Sequence, residues 1–246
     1  MIKLIIIFTK AVVIAIIALL FVSCNAKINF NDGVDGNGTV KTQNRTVKQK
    51  FTKIESSEGL QVTVEQAEQV SIQIIADENL LKHIITKVEN GTLIITTDTD
   101  MDDFTSRKVI VKMPSIEALS TDSGASLTVV NTIKGTNLKL HSDSGSELLA
   151  TVEYDNINAD CDSGSLQKVK GKALNLTVHA DSGSNIDARN LLSNNVIASS
   201  DSGSSIKVQP LISLQANADS GATIAYVGTP KKIKKVEDSG GSVRKL

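Results

Sequence analysis

The sequence is poor in aromatic residues and in cysteine, and its charges nearly cancel. Of its 246 residues only 3% are Phe, Tyr or Trp, none is Trp, and 2 are Cys. So few aromatic rings argue against sites that stack sugars or the bases of single-stranded nucleic acid. A formal net charge of −1 also lacks the basic excess of nucleic-acid-binding domains. We therefore expect no nucleic-acid partner.

Residues 1–23 have the pattern of a secretory signal peptide. Two lysines accompany a run of 12 apolar residues, AVVIAIIALLFV at 11–22, and a small residue precedes Cys24. A Cys directly after the cut resembles the lipobox of bacterial lipoproteins, in which that Cys is acylated, although Phe21 stands where Leu is usual. We predict lipidation at Cys24, export to the cell envelope and anchoring in the outer membrane. The alternative is an uncleaved anchor, but the apolar run is shorter than the ~20 residues of a spanning helix.

Residues 24–115 fall into two parts that differ in composition. Residues 24–44 are rich in Gly, Asn and Asp, which is typical of a tether. Alternating apolar and polar residues at 45–115 predict short, half-buried strands. Within them, Asn90-Gly91 predicts a hairpin, and DENLLKHI at 77–84 predicts one short helix with Asp77 as its N-cap.

A triplet, Asp-Ser-Gly, recurs at intervals of 18 to 21 residues in the second half of the chain. The triplets begin at Asp122, Asp143, Asp162, Asp181, Asp201, Asp219 and Asp238. Apolar residues alternate on both sides of each triplet, so each unit reads as strand, turn and strand. A fixed period near 20 without helical segments predicts a solenoid. We predict an all-β, right-handed parallel β-helix with regular coils over 116–246 and a strand-rich, irregular N-terminal part from residue 45.

The triplet itself suits a sharp corner between strands. Gly tolerates positive φ at the third position of a type II turn, and Asp or Ser can hydrogen-bond back to the backbone. Cys161 directly precedes one Asp, at a position where the other coils have small residues. We therefore expect Cys161 to be a buried structural thiol at a tight corner. If Cys24 is acylated, Cys161 is the only other Cys and no intramolecular disulfide can form.

Several stretches resemble a known family of bacterial envelope proteins, the putative auto-transporter adhesins with a head GIN domain. They are GNGTV at 36–40, FTKIESSEGLQVTVEQ at 51–66, IIADENLLKHIITKVENGTLII at 74–95 and KVIVKMP at 108–114, followed by the Asp-Ser-Gly units. The resemblance spans about residues 36–246. It implies export, frequent lipid anchoring and a right-handed β-helix over 45–246, and it brings no catalytic motif.

Six stacked carboxylates are the candidate ligand-binding residues. They belong to Asp122, Asp143, Asp162, Asp181, Asp201 and Asp219, and in register they would lie roughly 5 Å apart. Like charges at that distance invite a cation or a cationic ligand. The alternative is that each Asp caps its own turn and faces solvent. With one Asp per coil, against the six to eight oxygens that Ca²⁺ prefers, we predict no metal site and no cofactor.

Other suggestive motifs have simpler explanations. DTDMDD at 98–103 has the spacing of the start of an EF-hand loop but lacks its Gly and its final Glu, so it reads as a solvated acidic loop. Asp238-Ser239-Gly240-Gly241 resembles a protease nucleophile loop, yet six other copies of the triplet argue against that role. His141 and His179 occupy equivalent outward positions without a Ser and an orienting acid, so no catalytic triad is predicted.

The sequence thus predicts a non-enzymatic module for binding, adhesion or scaffolding. Its partners would be a membrane, through the lipid anchor, and a glycan or an envelope protein. The alternatives are a carbohydrate-active β-helix enzyme and a purely structural envelope component. Six Lys or Arg between Lys231 and Lys245 could bind anionic glycans or lipopolysaccharide, but they also suit a terminal cap that blocks strand pairing.

Overall fold

A computed structural model describes residues 33–246, and within that range the chain forms strands and turns without a helix. The strands are β1 Val40–Arg45, β2 Lys53–Ser56, β3 Gln61–Gln66, β4 Ser71–Asp77, β5 Ile84–Glu89, β6 Thr92–Thr97, β7 Arg107–Met113 and β8 Ala118–Thr121. They continue with β9 Ser126–Ser142, β10 Glu147–Cys161, β11 Leu166–Ala180, β12 Asn185–Ser200, β13 Ser205–Ala218, β14 Thr223–Tyr226, β15 Lys232–Glu237 and β16 Ser242–Lys245.

The predicted solenoid is confirmed. Each of the long strands β9 to β13 pairs in parallel with the next one, so that Ile157 lies opposite Leu138 on one side and Leu176 on the other. The chain winds through about seven turns of about 19 residues each. Every coil therefore repeats the path of its predecessor, and equivalent residues stack about 4.8 Å apart.

Burial along these strands follows the alternation in the sequence. Before the five aspartates from Asp143 to Asp219, the residues three and five positions upstream are all apolar and buried: Leu138, Leu140, Ile157, Ala159, Leu176, Val178, Val196, Ala198, Leu214 and Ala216. They join one continuous hydrophobic cluster that runs through the solenoid. Gln167 occupies an inward position and is fully buried, where its Nε2 donates to the backbone oxygen of Asp160 over 2.7 Å.

The first coils are not stacked in sequence order. Strand β2 pairs in parallel with both β6 and β8, and β3 pairs in parallel with both β7 and β9. The coil formed by β2 and β3 therefore lies between a coil that follows it in the chain, β6 with β7, and the regular coils that begin with β8. This insertion ties the two halves of the domain into one sheet network.

The ordered domain begins earlier than the sequence indicates. The predicted tether covered residues 24–44, but β1 pairs antiparallel with β4 from Val40 to Arg45, and Val34 forms a parallel bridge with Met101. Residues 34–45 are therefore part of the fold, because their backbone groups complete the outer strands of this end. The predicted signal peptide at 1–23 and the acylated Cys24 lie outside the described residues. Residues 33–246 include no helix long and apolar enough to cross a membrane.

The short helix predicted at 77–84 is wrong. These residues form consecutive turns, with hydrogen bonds from the amides of Leu80 and Leu81 to the Asp77 carbonyl. The Asp77 side chain does not cap a helix, because it is buried and accepts hydrogen bonds from the amides of Gly38, Thr105 and Ser106. Its carboxylate thus holds together three segments that are distant in sequence.

The hairpin predicted at Asn90-Gly91 is confirmed. Strands β5 and β6 pair antiparallel on either side of it, from Ile84 opposite Thr97 to Glu89 opposite Thr92. Asn90 and Gly91 have φ angles of 50° and 76°, which is the type I′ pattern that such two-residue loops prefer.

Candidate functional site

The seven Asp-Ser-Gly turns lie one above another along a single edge of the solenoid, and we call this row the corner file. The amide of each Gly donates to the carbonyl of the Ser in the following turn, as from Gly145 to Ser163 over 3.1 Å. The same bond joins every successive pair of turns, at 3.0–3.1 Å. The six candidate aspartates named from the sequence are thus brought into one row, half-exposed, about 4.8 Å apart.

The turn type differs from the prediction. Both central residues have positive φ, from 45° to 53° for Ser and from 69° to 81° for Gly, which is the type I′ pattern and not type II. The amide after each Gly closes the turn on the Asp carbonyl, as from Ser146 to Asp143 over 3.1 Å. No heavy atom lies within 4 Å of a Cβ built on any of these seven glycines, so Gly is needed there for its backbone conformation alone.

Each Asp carboxylate is held by hydrogen bonds at its own corner. Its Oδ1 accepts the amide of the following Ser over 2.5–2.7 Å in all seven turns. The Ser163 hydroxyl, from the next coil, is the main cause that holds the pKa of Asp143 below its ordinary value. Ser202 and Ser239 lower the pKa of Asp181 and Asp219 in the same way. Hydrogen bonding thus favours the ionised form of these three carboxylates, although like charges stand close by.

An eighth turn extends the file, and the sequence analysis missed it. In Ser57-Glu58-Gly59 the φ angles of Glu58 and Gly59 are 57° and 63°, and the Gly59 amide donates to the carbonyl of Ser123 over 2.9 Å.

The acidic loop at 98–103 follows β6, the strand that pairs with β2. The aspartates of that loop are exposed, as a solvated loop requires, and Asp98 accepts from His83 over 2.7 Å.

Side chains that can bind a metal or act as catalytic groups are not clustered in the described part of the corner file. Across residues 33–246 no group of three or more His, Cys, Asp or Glu side chains is arranged to hold a metal ion. His141 and His179 are exposed and stand on either side of Asp160, with which both are in register. Ser239 lies in a corner turn beside Asp238 and resembles the six other triplet serines in its backbone conformation.

Cys161 is buried behind the corner, as predicted. Its side chain is 1% exposed, and its Sγ lies 3.1 Å from the Ser165 hydroxyl. Burial raises the pKa of the thiol. The positions just before five of the other six aspartates are also buried and carry Thr121, Ser142, Ala180, Ser200 and Ala218, whereas Glu237 of the last coil is exposed. A neutral, inaccessible thiol in this column has a structural role.

A second row of side chains, which we call the amide ladder, runs parallel to the corner file. Asn156 donates to Oδ1 of Asn137 over 3.0 Å, Asn175 to Asn156 over 2.9 Å and Asn195 to Asn175 over 3.0 Å. Ser213 continues the row through a 2.8 Å bond to Asn195. All these residues stand six positions before their Asp, and that spacing is the signal that could have revealed them in the sequence.

The corner file and the amide ladder border one outward face, which we call the polar face. Between them lie two rows of outward residues that are in register from coil to coil: Asn158, Thr177, Ile197 and Gln215 in one row, and Asp160, His179, Ser199 and Asn217 in the other. The face bears amide and hydroxyl groups together with charged and imidazole groups such as Lys139, Asp160 and His179, and Ile197 is 51% exposed within it. It is a regular surface of hydrogen-bonding groups that is open along its length.

A different corner of the solenoid exposes aliphatic side chains. Leu174, Leu192 and Leu211 are 38–49% exposed and line a groove of about 370 Å³ with Tyr154 and Lys172. Tyr154 is itself buried, with its hydroxyl donating to the carbonyl of Ile116 over 2.8 Å. Burial, with a smaller contribution from Glu117, raises the pKa of Tyr154 to about 12.

A partly buried acid–base pair stands apart from these surfaces. The Arg189 guanidinium binds both carboxylate oxygens of Asp187, with N–O distances of 2.8–3.1 Å. Burial opposes ionisation of Asp187, but its hydrogen bonds with Arg189 prevail and lower its pKa. The Asp187 carboxylate is thus paired with Arg189. Among the ion pairs of the described residues, no second acid binds Arg189.

Comparison with known proteins assigns the family. Residues 50–230 match the family described as "Putative auto-transporter adhesin, head GIN domain". The chain belongs to this family. The family name describes adhesins and not enzymes, and it indicates an exported protein of the cell surface or envelope. No functionally curated protein matches the chain.

Solved structures show the same fold. A putative adhesin from Bacteroides fragilis shares 21% identity with a TM-score of 0.82, over 87% of this chain and all of that one. A putative lipid binding protein from Parabacteroides distasonis shares 20% identity with a TM-score of 0.70, over 87% and 99% of the two chains. A putative adhesin from Parabacteroides merdae shares 18% identity with a TM-score of 0.70, over 87% and 98%.

Proposed function

We propose that this chain is a lipid-anchored protein of the cell envelope whose solenoid is a non-enzymatic module for binding, adhesion or scaffolding. The observation that best supports this role is the corner file, a row of identical turns in register beside a regular polar face. Such a surface suits an extended partner, a glycan or a protein segment, that meets equivalent groups in several successive coils. Membership in an adhesin family agrees with this role.

The six aspartates from Asp122 to Asp219 are the proposed ligand-binding residues of this surface. Each carboxylate uses Oδ1 for the amide of its own turn, and the serine hydroxyl of the next coil also acts on Asp143, Asp181 and Asp219. The remaining lone pairs of these half-exposed side chains are open to a ligand. The hydroxyl groups of a repeating ligand would donate hydrogen bonds to several of these carboxylates at once. Because each contact is weak and exposed, affinity would come from their number along the column.

A glycan array tests this function. The wild-type protein is applied with and without Ca²⁺, beside the variant Asp143→Asn/Asp181→Asn/Asp201→Asn. We expect binding that the triple variant reduces at least tenfold. The matched control, Asp100→Asn/Asp102→Asn/Asp103→Asn, removes three exposed charges from the acidic loop and should bind as the wild type does. If no glycan or envelope extract is bound, the purely structural alternative is favoured.

The anchor has its own test. Metabolic labelling with palmitate should label the wild-type protein, and Cys24→Ala should abolish the label. The protein should then shift from the membrane fraction to the soluble fraction. Label that persists in Cys24→Ala would show that the lipid, if any, is attached elsewhere.

The leucine groove favours a second candidate, an apolar ligand. One structural neighbour is named a putative lipid binding protein, and here Leu174, Leu192 and Leu211 leave an aliphatic surface open to solvent. A fluorescent fatty acid probes this alternative. Binding that is lost in Leu192→Ser and kept in the triple Asn variant would assign the ligand to the groove and not to the corner file.

A further inference from the structure

The last coil of the solenoid is strongly basic. We call residues 231–246, which include β15 and β16, the terminal coil. It has six Lys or Arg against two acids, Glu237 and Asp238, a formal net charge of +4. The whole chain carries −1, so all the other residues together carry −5. Positive charge is therefore concentrated at one end of a column whose remainder is acidic.

The cations of the terminal coil point in two directions. Lys232 and Lys234 are in register with Ser213 and Gln215, so they extend the polar face outward. Lys235 is in register with the buried Ala216 and therefore faces the end of the column. Its Nζ donates to the Val243 carbonyl over 2.9 Å and lies 4.9 Å from the centre of the Tyr226 ring.

These charges are not neutralised locally. In the part of the chain that the structure covers, no ion pair within 4.0 Å includes a residue of the terminal coil. Glu237 accepts the amide of Val243 over 2.5 Å, and the preceding coil contributes only Asp219 nearby. Asp201, two coils away, lies about 10 Å from the terminal coil, and acids further along lie beyond ~14 Å, whereas charges in physiological salt are screened over about 8 Å. The terminal coil therefore presents an uncompensated positive surface.

Exposed aliphatic side chains accompany the lysines. Ile233 is 43% exposed because no further coil covers the position that it shares with the buried Leu214. Val236 and Leu246 are 47% and 56% exposed. A polysaccharide or nucleic acid would use the lysines and leave these side chains in water. The headgroup region of a membrane accommodates both, since aliphatic groups enter the interface while lysines meet the phosphates.

Pairing with a strand of another protein is less suited to this end. Lysines occupy four of the six positions from Lys231 to Val236, and Lys235 points inward over the core. Lysines on an edge strand and inward-pointing charges are devices that prevent edge-to-edge pairing. Because backbone pairing with another strand is disfavoured, the terminal coil is suited to bind an anionic surface through its side chains.

We propose that the terminal coil docks on a membrane surface that carries anionic, phosphate-containing lipid headgroups. This contact is distinct from a lipid on Cys24 and does not depend on the corner file. It would hold the basic end of the column against a bilayer while the polar face of the preceding coils stays free for its partner.

Vesicle co-sedimentation tests the proposal on residues 33–246, which lack Cys24 and the apolar leader. Residues 34–246 form a compact unit with its own continuous core, so this fragment should fold without the preceding segment. Phosphatidylcholine vesicles with and without phosphatidylglycerol are compared at low and high salt. We expect binding only to the anionic vesicles, weakened by salt.

Two charge-reversal variants locate the contact. Lys231→Glu/Lys232→Glu/Lys234→Glu should bind at least 100-fold more weakly, since each lysine near an anionic surface contributes about fivefold. Lys168→Glu/Lys170→Glu/Lys172→Glu makes the same charge change on exposed lysines of another coil and should stay within about threefold of the wild type. If the first variant misfolds by circular dichroism, Lys232→Gln/Lys234→Gln replaces it, with an expected loss of at least tenfold.

The apolar contribution distinguishes a bilayer from a soluble polyanion. Ile233→Ser should lower vesicle binding several-fold and leave binding to dextran sulfate unchanged. Equal losses in the two triple variants would overturn the proposal, because they would indicate attraction to net charge alone. Binding to dextran sulfate without binding to anionic vesicles would overturn it as well, since the ligand would then be a polyanion in solution.

Discussion

The amide of Gly183 donates a hydrogen bond to the carbonyl of Ser202, at the same corner one coil further along the column. Gly183 has a φ of +72°, and no atom lies within 4 Å of the place where a Cβ would stand. The glycine is thus required for its positive φ and not for space. A substitution here should therefore strain the backbone without causing a steric clash.

Gly183→Ala should lower the free energy of unfolding by about 1–2 kcal/mol, because an L-residue at this φ is strained. Urea unfolding followed by circular dichroism measures the change. Ser182→Ala is the matched control, since that residue already carries a Cβ at positive φ and loses only its hydroxyl. If the two variants were equally stable, the proposed role of the glycine would be wrong.

The amide ladder should contribute to stability although it is exposed. Asn175→Ala removes the bond to Asn156 and the bond from Asn195, and we expect a loss of about 1 kcal/mol in unfolding free energy. Thr177→Ala, two residues further on the same outward face, serves as the control and should change stability by less than half as much. An unchanged Asn175→Ala protein would mean that water replaces the ladder at no net loss.

The corner carboxylates should make the fold sensitive to acid only at low pH. The pKa of Asp143, Asp181 and Asp219 is lowered in the folded protein, so folding favours their ionised form. Their contribution is present above the unfolded pKa of about 3.9 and is lost as the pH falls through the lower folded values. Urea unfolding measured between pH ~7 and pH ~5 should therefore show no loss from these groups, and the loss should begin below pH ~5.

One serine tests the cause of this shift. Because the Ser202 hydroxyl is the main cause of the lowered pKa of Asp181, Ser202→Ala should raise that pKa toward its ordinary value. An NMR titration of the Asp181 carboxyl carbon measures it directly. The pKa of Asp219, two coils away from Asp181, provides the internal control and should not move.

Cys161 should be inert in the folded state. Its thiol is buried with a raised pKa, so it should react with a thiol reagent only when the protein unfolds. Cys161→Ala should lower stability by less than about 1 kcal/mol, whereas the buried Leu176→Ala should lower it by about 2–5 kcal/mol. Rapid labelling of native protein would contradict the buried position.

The repeated triplet made the coils and their buried positions predictable from the sequence. The turn type and the inserted first coil could not be predicted in the same way. Alternation around each Asp identified the buried positions because every coil meets a neighbour like itself. The turn type was missed because a serine at positive φ, such as Ser182, is uncommon. The turn at Ser57-Glu58-Gly59 was missed because it lacks the triplet and its coil is inserted between later ones.

The N-terminal part shows the same limit. Local propensity favoured a helix at 77–84, but Asp77 instead binds amides from Gly38, Thr105 and Ser106, contacts that no local pattern reveals. The polar composition of residues 24–44 indicated a tether, yet pairing with β4 orders Val40–Arg45. The amide ladder was open to detection, since Asn recurs six positions before the Asp in four successive units.

The account depends most on the corners being stacked in one straight file that a partner can follow. Spin labels test this directly in residues 33–246 with Cys161→Ala, at Ser144→Cys with Ser220→Cys and at Ser123→Cys with Ser239→Cys. The first pair is four coils apart and the second six, so pulsed electron resonance should give backbone separations of about 19 Å and 29 Å, a difference of about 10 Å. Two similar distances, or a shorter one for the second pair, would contradict the stacked file and the binding surface built on it.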